Sequence, residues 1–301
     1  MSGELARRVA FAVIAAPLGA AILLYGDWPL AALLAIVSAL GARELYRIAR
    51  ASNLTPVEGL GTAIAGLIPL LVHARYLRLY DPEGRMGAIS VAALTILVVL
   101  GVSIWARGVA GKPLSAVAVT LFGAFYTGGM LSFGYAIRYH DYASAPNPEG
   151  VRFNLPAGGL LLLLPVLVTW ASDIGAYAVG RLIGKHKLIP SVSPGKTVEG
   201  SVGGLLASML VAFVYAQYVL RPSSHLGFRY FPIGVLVFGA ILSVAAQIGD
   251  LAESLLKREA GVKDSSNLIP GHGGILDRFD SLFFVLPVAY VLVNFMLTYA
   301  L

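Results

Sequence analysis

VGGLLASMLVAFVYAQYVL, residues 202–220, is a run of 19 residues without a single charge. A second run, FPIGVLVFGAILSVAAQIG at residues 231–249, has the same length and is also uncharged. A helix of about 20 residues spans the roughly 30 Å hydrocarbon core of a bilayer. The whole chain is 57% hydrophobic and only 13% charged, which lies well outside the averages of soluble domains. Both runs are therefore predicted to be membrane-spanning helices.

Apolar segments of similar character recur along the rest of the chain. Seven more, separated by charges or turn residues, lie near residues 9–25, 28–42, 59–72, 86–106, 113–137, 155–180 and 281–301. The second and third of these are short for a full crossing. We therefore predict an all-α, polytopic membrane helix bundle with about nine transmembrane helices.

The orientation follows from the basic residues. Arg7 and Arg8 precede the first apolar segment, as in a secretory signal peptide, but with eight further segments a retained first helix is the better interpretation. A cytoplasmic N-terminus places 15 Lys and Arg residues in cytoplasmic connections and 7 in external ones, in agreement with the positive-inside rule. The connections at residues 181–199 and 250–280 are then both cytoplasmic.

Composition also argues against nucleic-acid binding and limits the ligands that a metal site can use. The formal net charge of +6 does not indicate nucleic-acid binding, because Lys and Arg are spread over short loops and form no single stripe. A basic membrane protein also suits anionic lipid headgroups. The chain has no cysteine, so a bound metal must be held by oxygen or imidazole ligands. His73, His140, His186 and His225 show no metal-ligand spacing and are predicted to lie at the surface.

The two halves of the chain differ in chemistry. Eight of the 16 acidic residues lie between Asp173 and Asp280, whereas the first half is ordinary apolar helix and loop. We therefore divide the chain into N-terminal transmembrane helices at residues 1–154 and a C-terminal catalytic transmembrane region at residues 155–301. The cytoplasmic polar site is expected in the second part.

Asp250 closes the uncharged run at residues 231–249. Glu253 and Lys257 follow it at helical spacing, so the three side chains project from one helix face. A carboxylate at this depth is costly and usually faces a protein interior or a wet cavity. The alternative is an ordinary helix end at the membrane interface with solvated charges.

A turn follows, in which Pro270 and three glycines within residues 271–274 surround His272. These residues do not continue a helix comfortably. Glycines let the backbone approach a ligand and expose amides to phosphate groups. Asp277 and Asp280 come next, three residues apart.

The segment at residues 250–280 thus contains six acids and five bases, counting His272, between two apolar spans. Carboxylates hold hard cations that bridge phosphate oxygens, while Lys and Arg contact the remaining phosphate oxygens. The pattern indicates metal-assisted phosphate chemistry such as nucleotidyl transfer. The competing interpretation is a charged cytoplasmic loop without chemistry.

Asp173 lies inside the apolar segment at residues 155–180. An intramembrane aspartate is a functional-site hypothesis by default, and a hydrogen bond to a neighbouring helix is the alternative. Gly180 and Gly184 are four residues apart, a spacing that indicates close helix packing.

The GKT sequence at residues 195–197 is similar to part of a P-loop, but Pro190 replaces the first glycine of that motif and no strand is predicted before it. We therefore reject a P-loop. Ser193, Lys196 and Thr197 still offer two hydroxyls and an ammonium group ahead of a helix N-terminus, which favours anions.

Two of these residues also have structural interpretations. Thr197 can be the N-cap of the helix that follows, with Gly200 and Ser201 as rivals for that role. Lys196 can be a phosphate contact or a cation at the lipid surface.

The stretch at residues 254–280 resembles the signature of the phosphatidate cytidylyltransferases, also called CDP-diglyceride synthases. The positions that carry the resemblance are Ser254, Lys257, Arg258, Lys263, Asp264, His272, Gly273, Gly274, Asp277, Arg278 and Asp280. Upstream blocks are also similar, at Ser172, Asp173, Ala176, Tyr177, Gly180, Ser193, Pro194, Lys196, Thr197, Glu199 and Gly200. Gly195 departs from the pattern, because many members carry a second lysine there. The resemblance covers residues 170–281.

The resemblance implies that CTP and phosphatidic acid react to give CDP-diacylglycerol and pyrophosphate in phospholipid biosynthesis. It implies a requirement for Mg²⁺, held by Asp250 and Asp277, with a monovalent cation such as K⁺ beside it. It further implies a homodimer in the cell (inner) membrane, surrounded by membrane lipids, with the active site facing the cytoplasm.

The resemblance also implies roles for individual residues. The implied catalytic residues are Asp250, Lys257, Arg258, Lys263, Asp264, His272, Asp277, Arg278 and Asp280. The residues implied to bind substrate are Asp173, Ser193, Lys196, Thr197, Glu199, Gly273 and Gly274. No general base is assigned, since phosphatidic acid is already anionic.

Two other functions fit the residues alone. A transporter would use Asp173 in an ion or proton pathway, although transporter folds often show internal repeats and here the polar residues crowd one half. Another lipid-linked phosphotransferase, such as a polyprenol kinase, would use the same acids and bases. The spacings by themselves do not choose CTP over another nucleotide.

Overall fold

The computed structural model describes residues 3–77, 79, 87–139, 156–220, 232–266, 268 and 273–298. All of the predicted apolar segments are helical there. The helices are α1 Gly3–Tyr25, α2 Asp27–Ala51, α3 Glu58–Tyr76, α4 Ala88–Ala106, α5 Pro113–Ala124, α6 Met130–Arg138, α7 Pro156–Ile183, α8 Val198–Tyr215, α9 Pro232–Glu259 and α10 Leu276–Thr298. A π-helical turn, Phe125–Gly129, joins α5 to α6, and another, Ala216–Leu220, extends α8.

Six helices in the described part of the chain are long and apolar enough to cross a membrane. They are Asp27–Ala51, Ile89–Ala106, Pro113–Arg138, Gly158–Ile183, Val198–Leu220 and Pro232–Glu259. The all-α polytopic membrane fold is thus confirmed. The figure of about nine crossings and the cytoplasmic N-terminus stay predictions.

A short β-hairpin between α7 and α8 was not predicted. Strand β1, Lys187–Ile189, pairs antiparallel with β2, Ser193–Thr197. The expectation that no strand precedes the GKT sequence is therefore wrong, because three residues are too few to show a strand periodicity. Lys196 lies within β2 itself and not in a glycine-rich loop, so the rejection of a P-loop is unaffected.

The helices form two compact units. Unit 1 comprises Met1–Ala12, Asp27–Tyr135 and Leu256–Phe279, and unit 2 comprises Val13–Gly26, Ala136–Leu255 and Asp280–Leu301. These boundaries differ from the division at residue 154, which was drawn from chemistry and stays a prediction. In unit 1 the signature residues between Leu256 and Phe279 belong with the helices of the first half.

Helix α2 is the centre of unit 1 and packs against α3 and α5. Its buried face includes Leu30, Leu34 and Tyr46. The Tyr46 hydroxyl donates a hydrogen bond of 2.7 Å to the carbonyl of Thr120, so this buried polar group is satisfied. Glu44 lies on the same helix and is also buried.

His73 is buried, at 1% exposure, so its predicted surface position is wrong. Its ring lies edge-on to Trp28, with centroids 4.2 Å apart, and 3.4 Å from the carboxylate of Asp27. It also contacts the Tyr135 hydroxyl. A histidine is tolerated inside a protein where such polar partners are present.

His186 is exposed, as predicted. Outside the described residues lie His140 and His225.

Close packing through glycines joins α7 and α8 in unit 2. A Cβ added at Gly204 would lie 2.7 Å from the carbonyl oxygen of Ser172, and one added at Gly200 would lie 2.8 Å from that of Ala176. A Cβ added at Gly180 would lie 3.0 Å from the hydroxyl oxygen of Thr197, and one added at Gly184 would lie 2.7 Å from it. Side chains larger than hydrogen would force the helices apart, which confirms the packing interpretation of Gly180.

Candidate active site

Asp277 is held by four groups at the first turn of α10. Its carboxylate accepts hydrogen bonds from the backbone N–H groups of Ser265, at 3.0 Å, and Gly274, at 2.8 Å. The Lys257 ammonium lies 2.7 Å away, and the Ser265 hydroxyl lies at 2.8 Å. Both charged side chains are largely buried, with exposures of 8% for Asp277 and 13% for Lys257. Charge-assisted bonds at a helix N-terminus hold this carboxylate firmly in place.

Gly273 and Gly274 allow this arrangement. Gly273 has φ +81°, and a Cβ there would lie 2.7 Å from a carboxylate oxygen of Asp277. A Cβ at Gly274 would overlap the Ser265 hydroxyl and the Glu44 carboxylate. Only glycine lets the backbone approach these side chains so closely. Both glycines are therefore required by the turn that the sequence predicts here.

Glu44 is a residue that the sequence analysis missed. Its side chain comes from α2, is only 4% exposed, and accepts hydrogen bonds from the backbone N–H groups of Ile275, at 3.1 Å, and Leu276, at 2.7 Å. The hydroxyl of Ser266 donates to it at 2.5 Å. The hydroxyl of Ser265 lies 2.9 Å from Glu44 and 2.8 Å from Asp277, so it bridges the two carboxylates.

A local signal for Glu44 was present. It is an acid within a mostly apolar helix, which is the argument that singled out Asp173. The first half of the chain is therefore not only apolar helix and loop. It supplies the anchor of the segment that carries Asp277.

In unit 2 the structure joins Asp250 to Lys196. The carboxylate and the ammonium lie 2.7 Å apart, and the Ser254 hydroxyl lies 3.5 Å from the same carboxylate. A Cβ added at Gly249 would lie 2.8 Å from the carbonyl oxygen of Asp280, so α9 packs closely against α10 one residue before Asp250. The ion pair favours Lys196 as a residue of the polar site over a cation at the lipid surface.

Glu199 organises the hairpin that carries Lys196. Its carboxylate accepts hydrogen bonds from the backbone N–H groups of Lys185, at 3.1 Å, and His186, at 3.2 Å, and lies 2.5 Å from the His186 ring. Thr197 is the N-cap of α8, since its hydroxyl accepts a hydrogen bond of 3.1 Å from the N–H of Gly200. The predicted role of Glu199 and Thr197 in binding substrate stays a prediction.

The remaining predicted residues differ in their exposure. Asp173 lies on an exposed face of α7, and Ser193 begins β2. Asp280 accepts a 2.6 Å hydrogen bond from the N–H of Ser281. Exposed side chains are those of Arg258, Lys263, Asp264 and Arg278. His272 falls outside the described residues.

A family model described as "Cytidylyltransferase family" matches residues 6–296. The chain belongs to this family. It is 34% identical to a phosphatidate cytidylyltransferase of Synechocystis sp., over 97% of both chains. It is 32% identical to that of Bacillus subtilis, over 96% of this chain and 97% of the relative. A Staphylococcus saprophyticus relative of the same name is 44% identical over 54% of this chain and 57% of its own.

The donor atoms of this family member suit a hard cation. Among the described residues no group of three His, Cys, Asp or Glu side chains gathers to hold a metal. Magnesium is usually bound through one or two carboxylates, with substrate phosphates and water as its other ligands. Asp250 and Asp277 each offer a carboxylate next to a lysine. Each of these carboxylates is therefore a donor of the type that magnesium prefers.

Proposed function

We propose that this chain transfers the cytidylyl group of CTP to phosphatidic acid, which gives CDP-diacylglycerol and pyrophosphate. The observation that carries the proposal is the Asp277 carboxylate, held by Lys257, Ser265 and Gly274 within the signature segment. Membership of the cytidylyltransferase family supports the same reaction, which makes this membrane protein a CTP-utilising nucleotidyltransferase.

The reaction exchanges one phosphorus–oxygen bond for another. An oxygen of the lipid phosphate attacks the α-phosphorus of CTP, and the bond from that phosphorus to the β-phosphate oxygen breaks. Pyrophosphate leaves with the bonding electrons. Since the lipid phosphate is already anionic, the protein need not remove a proton from it, and its main task is to position groups and balance charge.

We infer that Asp250 and Asp277 hold Mg²⁺. A bound magnesium ion neutralises charge on the phosphate oxygens during transfer. Lys196 and Lys257 balance the two carboxylates and supply positive charge that phosphate oxygens can contact. A K⁺ ion beside the magnesium is part of the proposal.

The site is proposed to face the cytoplasm from the cell (inner) membrane. The end of α2, with its three arginines, and the segment from Leu256 to Phe279 are both predicted cytoplasmic, and Glu44 joins them within unit 1. This contact supports a shared side of the membrane. A homodimer stays a prediction.

The direct test is product formation by the purified protein in detergent micelles. CTP, phosphatidic acid and Mg²⁺ should yield CDP-diacylglycerol and pyrophosphate in equal amounts, measured by mass spectrometry and a coupled pyrophosphate assay. Absence of a CDP-lipid over a range of lipid chain lengths and divalent metals would contradict the proposal.

Asp250→Asn is expected to weaken metal binding about tenfold or more, because it removes a charged oxygen ligand but keeps the side-chain shape. Binding of Mn²⁺ in place of Mg²⁺, followed by electron paramagnetic resonance, measures this effect. Glu259→Gln is the matched control, since Glu259 is an exposed acid on the same helix. Equal Mn²⁺ affinity of Asp250→Asn and the wild type would remove Asp250 from the proposed ligands.

A further inference from the structure

A cavity of about 280 Å³ opens in unit 1 beside the Glu44 anchor. The residues that line it are Leu40, Arg43, Glu44, Arg47, Ser266 and Leu268. We call it the arginine cavity. Four of these residues lie on α2. Ser266 and Leu268 lie within residues 254–280 but are not among the positions that carry the resemblance.

Two guanidinium groups are the main polar feature of the arginine cavity. Arg43 and Arg47 are four residues apart on α2, so they occupy the same face of the helix. A guanidinium carries five N–H donors and no acceptor, and its planar fork matches the oxygens of a phosphate group. Two such forks at one opening are suited to a doubly charged phosphate monoester.

The acids near the cavity leave this positive charge largely available. Glu44 already accepts hydrogen bonds from Ser266 and from two backbone N–H groups. Glu58 lies 3.9 Å from Arg43, but it is more closely paired with Arg50. The cavity therefore offers two cationic side chains beside one lining carboxylate, Glu44, whose oxygens already accept hydrogen bonds.

The lining and the size of the cavity favour a lipid headgroup over a nucleotide. Leu40 and Leu268 place apolar surface next to the two arginines, as the junction of a phosphate with a glycerol and its acyl chains requires. The volume of about 280 Å³ is at the lower end of the roughly 300–1,000 Å³ range of sites that enclose drug-sized ligands, which suits a headgroup better than a whole nucleotide. The arginines also lie near the C-terminal end of a helix able to span the membrane, where headgroups are found.

We propose that the arginine cavity binds the phosphate monoester headgroup of the lipid substrate. The proposal rests on the proposed function, because that function supplies phosphatidic acid as the ligand. Ser266 lines the cavity and also donates to Glu44, so the bound headgroup would lie next to the anchor of the Asp277 segment. Nucleotide phosphates share the same chemistry and are the alternative ligand.

The test uses the full-length protein in detergent micelles, without CTP or metal. Short-chain dioctanoyl phosphatidic acid is titrated by calorimetry into the wild type, Arg43→Gln, Arg47→Gln and Arg50→Gln. Loss of a charge-assisted phosphate contact should weaken binding by about tenfold or more in the first two variants. Arg50→Gln is the matched control, because it removes the same charge from the same helix but does not line the cavity.

Kinetics then distinguish the two sources of phosphate. Arg43→Gln and Arg47→Gln should raise the KM for phosphatidic acid about tenfold and leave the KM for CTP within about twofold of the wild type. A rise in the KM for CTP alone would overturn the proposal and assign the cavity to the nucleotide. Equal binding of dioctanoyl phosphatidylglycerol, a phosphodiester, or an equal effect of Arg50→Gln would also overturn it, in favour of general attraction to anionic lipid.

Failure of the proposed function would look different. A wild type that binds phosphatidic acid through Arg43 and Arg47 but forms no CDP-lipid would retain the cavity as a headgroup site and contradict only the transfer reaction. An active wild type whose lipid binding does not change in either arginine variant would contradict only the cavity.

Discussion

Asp277→Asn is expected to lower turnover of CTP and phosphatidic acid by at least about a hundredfold. The substitution keeps the size of the side chain and one acceptor oxygen, but it removes the charge that pairs with Lys257 at 2.7 Å and that would bind the metal. Stabilisation of phosphate charge by a bound cation is worth several kcal/mol, and each 1.4 kcal/mol corresponds to about a factor of ten in rate. Initial rates at saturating substrate and Mg²⁺ measure the effect.

Turnover and thermal unfolding of variants at Lys257 and Asp277 distinguish an effect on catalysis from an effect on folding. Lys257→Met removes the other charge of the pair, and the double variant should be little worse than Asp277→Asn alone, because residues that act as a unit have non-additive effects. Thermal unfolding of each variant in detergent reports on the fold. Near-normal turnover of a folded Asp277→Asn variant would exclude Asp277 from the metal and phosphate site.

Glu44→Ala is expected to cause the largest loss of stability together with a loss of turnover. The change leaves the N–H groups of Ile275 and Leu276 and the hydroxyl of Ser266 without their acceptor. A buried group without its partner costs about 1–3 kcal/mol, so the total should reach about 3 kcal/mol or more. The segment that carries Asp277 would then lose its anchor.

The control for this effect is Glu58→Gln. Glu58 is an acid of the same unit that pairs with Arg50 at the surface, and such pairs contribute about 1 kcal/mol or less. Unfolding midpoints and rates at a temperature where every variant is folded measure both effects. A Glu44→Ala protein with wild-type stability and rate would show that Glu44 does not support the site.

The membrane fold was predictable because the signal is local. An uncharged run of about 19 residues is long enough to span the bilayer and so predicts a membrane helix without any other part of the chain. Each of the predicted apolar segments is helical in the described structure. The hairpin at Lys187–Ile189 and Ser193–Thr197 was not predictable, since three residues carry no readable alternation. His73 was misplaced because its burial depends on Trp28 and Tyr135, which are distant in the sequence.

The residue types of the site were predictable, but their pairing was not. The sequence indicated Asp250, Lys257 and Asp277 by spacing and context. It did not indicate that Lys196 pairs with Asp250, because ion pairs between separate helices and strands arise only in the folded chain. Glu44 is the clearest case, since it lies 221 residues before its partner Ser265 and no local pattern joins them.

The origin of the phosphorus in the lipid product tests the central claim most directly. The purified protein is given phosphatidic acid, Mg²⁺ and CTP that is radiolabelled either at the α-phosphate or at the γ-phosphate. Cytidylyl transfer predicts that the α-label enters the lipid and the γ-label appears only in pyrophosphate. A γ-label in the lipid would indicate a kinase. If neither labelled form of CTP puts label into the lipid, the transfer reaction itself is contradicted.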